Sequence, residues 1–224
     1  QKQMGSLHIS YKESSMQYAH NLISTAFEKY NLPNENIFFL GGSLAGHRAL
    51  RYVKFANDAN IDFKLNIKGL VLCNFTMDWT RKWHQYQREI RINRNSLWEA
   101  KFITYMLETY LGGTPLEVPQ NYHDFSVYSY FDTENSTIEY YKNFAIRAYI
   151  EPATKYRYSK YLQTNYENSA TDVLGFLAEL ELAGNENTDL VVLSSTEDIS
   201  VPKNADTTWS AIDKEDLMQW ILKQ

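Results

Sequence analysis

Cysteine is scarce in this sequence, because Cys73 is the only one among 224 residues. No disulfide can therefore form within the chain, and cysteine usage neither demands nor excludes an oxidising compartment. Long apolar runs are also missing, since none approaches the roughly 18–20 residues that a membrane-spanning helix needs. We therefore expect a soluble protein without a membrane span, and the sequence leaves its compartment open between cytoplasmic and exported.

An excess of positive charge is absent as well. The chain has 22 Lys and Arg against 27 Asp and Glu, a net charge of -5. Without a basic cluster there is no electrostatic basis for binding nucleic acid, so we predict no nucleic-acid partner. No spacing of His, Cys, Asp or Glu resembles a zinc or calcium pattern, and the glycine-rich segment lacks the lysine of a phosphate loop. We predict no metal and no cofactor.

Aromatic residues, in contrast, are abundant, with 17 Tyr and 5 Trp. They concentrate at residues 79–86 (WTRKWHQY) and 122–131 (YHDFSVYSYF). Aromatic side chains with polar tips suit both cores and half-buried clefts. Two interpretations remain open: these segments pack one part of the molecule onto another, or they line a pocket for a small-molecule or peptide ligand.

Short apolar runs alternate with segments of helical periodicity. The runs predicted to be buried strands are residues 37–40, 68–75, 145–150 and 189–194. The predicted helices between and around them are residues 11–30, 45–56, 171–183 and 213–222. Strands that are apolar on both faces and separated by helices predict an α/β fold, with a mostly parallel sheet covered by helices.

A long segment interrupts that alternation. Residues 76–144 contain two predicted helices, near 79–90 and 96–111, and then an aromatic-rich stretch. Insertions of this length between two strands are usually functional or form a subdomain. We predict one domain over residues 1–224, with 76–144 inserted as a helical cap over one edge of the sheet.

The segment GGSLAG, residues 41–46, lies where the first predicted strand meets its helix. A strand that passes directly into a helix holds the residue between them at a tight corner, and small residues on both sides let the two backbones approach. Gly41 and Ala45 are those residues here, with Gly46 one position further on. Ser43 is then a candidate nucleophile, and the backbone N–H of Leu44 a candidate oxyanion donor. The alternative is a glycine-rich turn with a capping serine.

This arrangement resembles the α/β-hydrolase superfamily, in its serine-esterase and peptidase-like branch. The resemblance covers the segment NIFFLGGSLAGHRALRY, in which a strand turns through Ser43 into a helix; we call this corner the elbow. It also covers the strand KGLVLCNF, the inserted cap, and the strands AIRAYIEP and DLVVLSS. It implies a catalytic Ser43 and an acid after the third visible strand. Glu151 is the candidate acid, with Glu197 and Asp198 as later alternatives.

The catalytic histidine that the resemblance implies has no counterpart in the sequence. These hydrolases carry Ser, acid and His in that chain order, and the histidine is the base that activates the serine. The histidines are His8, His20, His47, His84 and His123, so none follows the fourth strand. The segment Asp206-Thr207-Thr208 stands at the expected place. Substitute bases could come from the elbow helix or the cap, at His47, His84 or His123.

The early strands of the superfamily are missing too, because only about 35 residues precede the elbow strand and one helix fills most of them. Those strands are either absent or lie upstream of residue 1. The elbow strand would then form an open sheet edge, which needs covering or pairing, for example in a homo-oligomer.

Two functions remain open at this stage. The first is a serine hydrolase, an esterase or peptidase that uses Ser43. The second is a catalytically inactive relative that binds a ligand or partner through its aromatic cleft.

Overall fold

The computed structural model describes residues 13–92, 97–134, 136–194 and 205–224. The strands in that part of the chain are β1 (Ile37–Gly42), β2 (Ile67–Cys73), β3 (Ala145–Ile150) and β4 (Thr188–Val192). The helices before β3 are α1 (Glu13–Tyr30), α2 (Leu44–Asp58), α3 (Trp79–Ile92), α4 (Leu97–Leu111) and α5 (Pro119–Phe125). The helices after β3 are α6 (Thr154–Tyr161), α7 (Ala170–Leu182), α8 (Ala205–Ala211) and α9 (Lys214–Lys223).

The four strands form one parallel sheet in the order β1-β2-β3-β4. Gly42 pairs with Cys73, and Cys73 pairs with Tyr149, so the carboxyl ends of the first three strands lie at one edge of the sheet. The prediction of an α/β fold with a parallel sheet is confirmed. In the described residues β1 is hydrogen-bonded to β2 alone, and Leu40 on it is 47% exposed. Whether this edge pairs with a second copy of the chain stays a prediction.

Helices cover both faces of the sheet because β2 and β3 are apolar on both sides. Leu70, Leu72 and Ile146 face one core, which α2 and α7 complete with residues such as Leu50 and Phe176. The alternate positions face a second core. Its members are Val71, Cys73, Tyr149, Ile212 and Leu217.

The segment between β2 and β3 is helical in large part, and about half of its aromatic residues are buried. A separate cluster joins α3, α4 and α5, and Leu44 at the start of α2 packs against it. Its buried members include Trp79, Tyr86, Ile103, Leu107, Tyr122 and Phe125. These aromatic residues therefore fasten the inserted helices to the elbow end of the sheet, which is the packing interpretation of the two aromatic segments.

Several element boundaries differ from the sequence prediction. The second strand ends at Cys73 and not at residue 75, because Asn74 has a left-handed φ of 41°. Helices α5 and α6 were not predicted. Both are short, and α6 (TKYRYSKY) has no apolar periodicity that could mark it as a helix. Among the helices of the described residues, none combines the length and apolar character that crossing a bilayer requires.

A buried ion pair ties the inserted helices to α7. Arg81 of α3 is 1% exposed and donates from Nη2 to Oδ2 of Asp172, 2.9 Å away. The same carboxylate accepts the backbone N–H groups of Met77 (3.0 Å) and Asp78 (3.2 Å). One buried carboxylate therefore fixes both the start of α3 and its guanidinium.

Asp172→Ala should lower the free energy of unfolding by about 3–5 kcal/mol, because it leaves a buried guanidinium and two buried N–H groups without their acceptor. Chemical denaturation measures this loss. The control is Glu139→Gln, which breaks an exposed pair with Lys142 and should cost at most about 1 kcal/mol. Equal effects of the two substitutions would contradict this role of Asp172.

Candidate functional site

Ser43 occupies the single position between β1 and α2. Its backbone has φ 52° and ψ -136°, outside the regions that residues with a side chain normally adopt. Such a conformation costs on the order of 1–3 kcal/mol and persists only where the surroundings enforce it. Ser43 makes no side-chain capping bond to α2. A capping role therefore does not account for this serine.

Two glycines force this corner. A Cβ atom added to Gly41 would lie 2.6 Å from the backbone of Gly46, and one added to Gly46 would lie 2.7 Å from the ring of Phe75. Strand and helix therefore approach so closely that neither position can carry a side chain. The sequence analysis assigned the second small position to Ala45, but Ala45 is exposed and the close approach falls on Gly46.

The corner opens into a cleft of about 910 Å³. Ser43 is exposed, and among the described residues no side-chain hydrogen bond occupies its hydroxyl. Leu44 also lines the cleft and is the first residue of α2, so its N–H has no carbonyl acceptor within the helix. The other walls come from α3, α4, α6 and the loop after β2. A free hydroxyl and a helix N-terminal N–H thus share one accessible cavity.

His47 lines the same cleft but is only 1% exposed. Its Nε2 lies 2.9 Å from the indole Nε1 of Trp79 and 3.1 Å from the carbonyl oxygen of Phe125, while Nδ1 is buried without a partner. Burial, reinforced by the positive charge of Arg51, lowers the pKa of His47 to about 3. The imidazole is therefore neutral at physiological pH, and its Nε2 is already engaged.

The other histidines lie elsewhere. His84 on α3 contacts the rings of Trp83 and Phe131, and His123 on α5 lines a separate cavity of about 250 Å³. His20 is buried and lies 3.1 Å from the hydroxyl of Tyr52. Of the histidines in the described residues, only His47 shares the cleft with Ser43.

Glu151, the candidate acid, directly follows β3 and is 5% exposed. It accepts a hydrogen bond from Thr208 Oγ1 at 3.0 Å. Thr208 belongs to α8, which packs against β1 and β2. Neither residue lines the cleft, and β1 and β3 are two strand spacings apart, about 10 Å. Glu151 therefore contacts a threonine of the segment 206–208, and no histidine of the described residues lies within hydrogen-bond distance of it in this structure. Glu197 and Asp198 lie outside the described residues.

The site also contains residues that the sequence analysis missed. Asn74, Arg157 and Gln163 line the cleft together with Ser43. Of these three residues, only Asn74 could have been identified from the sequence. A polar residue directly after a buried strand of a parallel sheet lies at the carboxyl edge, where ligands bind. Arg157 and Gln163 belong to α6 and the loop after it, where no sequence motif marks them. Among the described residues no cluster of His, Cys, Asp or Glu could hold a metal ion.

No protein-family model, no curated protein and no solved structure matches this chain. Its function therefore has to be inferred from the chemistry of the cleft.

The low pKa of His47 predicts a specific pH dependence of stability. Between pH 6.5 and about 3 the unfolded chain binds a proton at this residue and the folded chain does not, so acid favours unfolding. His47→Gln removes that contribution. The stability advantage of the wild type over His47→Gln should therefore shrink as the pH falls below 6.5, by at most about 1.4 kcal/mol per pH unit. Denaturation curves at several pH values measure it.

His84→Gln is the matched control, because partial burial lowers the pKa of the more exposed His84 by desolvation alone. The stability advantage of the wild type over His84→Gln should also shrink as the pH falls, but by less per pH unit. A wild-type advantage over His47→Gln that stays constant with pH would contradict the buried, neutral imidazole.

Proposed function

We propose that this protein is an α/β-hydrolase-like serine hydrolase, an esterase or peptidase, with Ser43 as its nucleophile. The observation that carries the proposal is the strained backbone of Ser43, enforced by Gly41 and Gly46, with its hydroxyl free in a large cleft. Strain of this kind concentrates at functional sites, where the surrounding structure enforces it and it forms part of the mechanism. A turn needed for folding alone would not require an exposed serine at positive φ.

The roles of the residues follow from their positions. Ser43 Oγ bonds to the carbonyl carbon of an ester or amide, and the carbonyl oxygen becomes an oxyanion. The N–H of Leu44 stabilises that charge, and the positive end of α2 adds to the effect. The serine proton passes to a base, and the bond to the leaving alcohol or amine breaks as that group takes up a proton. Water then attacks the acyl-serine, which releases the carboxylic acid and restores the hydroxyl of Ser43.

The arrangement of the sheet supports the same class. The elbow strand is followed by three parallel strands in sequential order, with an inserted helical segment after β2 and a carboxylate directly after β3. Such an order is what the resemblance to α/β-hydrolases implies for the second half of that fold. The carboxyl edge of a parallel sheet is also where ligands bind in α/β proteins.

A fluorophosphonate probe tests this proposal. Ser43 should form a covalent phosphonyl adduct, detected as a mass increase of the intact protein, and Ser43→Ala should abolish it. The matched control is Ser169→Ala, because Ser169 lines the same cleft without the strained backbone. This control should be labelled like the wild type. A wild type that remains unlabelled would contradict the hydrolase proposal. So would a Ser43→Ala variant that is labelled like the wild type.

A second candidate is supported by the surroundings of Glu151. Its hydrogen-bond partner is Thr208, and the only histidine of the described residues in the cleft is buried, neutral and engaged at Nε2. A threonine cannot relay a proton from Ser43 as an imidazole does. These contacts favour a catalytically inactive relative of the hydrolases. Such a protein keeps the elbow and uses the cleft to bind a ligand.

Replacing Thr208 by histidine separates the two candidates. If Glu151 occupies the place of the catalytic acid, Thr208→His supplies the missing base, and hydrolysis of p-nitrophenyl acetate should rise about 100-fold, the lower end of what a general base contributes. The gain should disappear in the double variant Ser43→Ala with Thr208→His.

Thr208→Asn is the control for size and polarity and should not raise the rate. Circular dichroism checks that each variant is folded. If Thr208→His folds and does not differ from the wild type, position 208 is not the place of the base. A wild type that hydrolyses p-nitrophenyl acetate much faster than Ser43→Ala would instead contradict the second candidate.

A further inference from the structure

The cleft that contains Ser43 has a charged lining in addition to its aromatic walls. Its charged side chains are Lys82, Glu89, Glu99, Arg157, Lys160 and Glu167. The three carboxylates all accept hydrogen bonds from protein donors: Glu89 from Gln85 and Gln163, Glu99 from Tyr86, and Glu167 from Thr164. The acidic groups of the cleft are therefore already satisfied by the protein.

Arg157 is not satisfied in this way. Its Nε atom is buried and has no hydrogen-bond partner, and no carboxylate of the described residues forms an ion pair with its guanidinium. Glu151 and Glu89 act on it only through longer-range attraction, and burial lowers its pKa. A largely buried guanidinium without a close counterion is costly, and in a cleft it is a candidate for binding an anionic ligand.

A second unsatisfied group lies beside it. The carboxylate of Glu89 can only accept, so the amide nitrogen of Gln163 must face it, at 2.8 Å. This fixes the amide oxygen of Gln163 as an acceptor, and that oxygen is buried without a partner. The backbone N–H of Gln163 donates to the carbonyl of Arg157 at 3.3 Å, which holds the two residues together at the end of α6. Arg157 and Gln163 thus bring one donor and one acceptor without protein partners to the same cleft.

The aromatic wall indicates what else the ligand contains. Trp98 lines the cleft, is 75% exposed and stacks on Phe102 with ring centroids 5.2 Å apart and planes 6° from parallel. An exposed, flat indole in a cleft is a surface on which an apolar or aromatic group of a ligand can pack.

We infer that the cleft binds an N-acyl amino acid or a similar small molecule, which presents its carboxylate to Arg157 and an N–H donor to the amide oxygen of Gln163. A guanidinium holds a planar carboxylate through two parallel hydrogen bonds. A phosphate anion fits less well, because its charged oxygens only accept hydrogen bonds and the oxygen of Gln163 would repel them. The inference deepens the proposed function, since Ser43 would then act on an ester or amide bond of such a molecule.

The test uses N-acetyl-phenylalanine and its uncharged methyl amide as probes, with binding followed by the fluorescence of Trp79 and Trp98 in the cleft. The wild type should bind the carboxylate at least about tenfold more tightly than the amide, as expected for one charge-assisted contact. Arg157→Gln should remove this preference while binding the amide as the wild type does. Arg157→Lys should keep part of it, because the charge remains and the two-pronged geometry is lost.

Lys155→Gln is the matched control, since it removes one positive charge from an exposed position on the same helix, outside the cleft. Its preference for the carboxylate should equal that of the wild type. Equal affinity of the wild type for both probes, or binding of neither, would overturn the inference. So would inorganic phosphate that displaces N-acetyl-phenylalanine at equal concentration, because the site would then be a general anion site.

This test can fail independently of the proposed function. Ser43→Ala should bind N-acetyl-phenylalanine like the wild type, since binding does not need the nucleophile. Labelling of the wild type by an uncharged fluorophosphonate reports on Ser43 separately from carboxylate binding. Loss of labelling with intact carboxylate binding would reject the hydrolase and keep the ligand class, and the reverse result would do the opposite.

Discussion

The close approach of two glycines is the constraint on which the rest of the site depends. Gly41 at the end of β1 and Gly46 in the first turn of α2 bring two backbones into contact, and the ring of Phe75 closes the space behind Gly46. Ser43 has no other way to connect strand and helix, so it takes a strained backbone conformation. The exposure of its hydroxyl and the free N–H of Leu44 are both consequences of this packing.

The fold was largely predictable because its signals are local. Four apolar runs separated by helical periodicity can form a parallel sheet covered on both faces. The run at residues 37–40, followed by GGSLAG, indicates the strand–helix corner without help from distant residues. Boundaries were less predictable where one residue decides them. The left-handed Asn74 ends β2 early, and short helices such as α6 lack a periodic apolar pattern.

The site was predictable only in its elbow, for a physical reason. Ser43, Leu44 and His47 lie within five positions of one another, so their proximity follows from one strand–helix corner. The contact between Glu151 and Thr208 joins residues 57 positions apart, and the position of Arg157 depends on how α6 packs against the inserted helices. Nothing in the local sequence specifies such distances. Burial also decides the chemistry of His47, since the loss of solvation, reinforced by the positive charge of Arg51, lowers its pKa and keeps this imidazole neutral.

The buried pair of Arg81 and Asp172 has a mechanical consequence. It connects α3, which forms a wall of the cleft, to α7, which packs on the sheet. A hinge motion that swung the inserted helices away from the sheet would pull two opposite charges apart inside an apolar interior. Such a motion would cost several kcal/mol, which favours an α3 that stays in place when a ligand enters the cleft. One wall of the cleft then has a fixed shape that a ligand must fit.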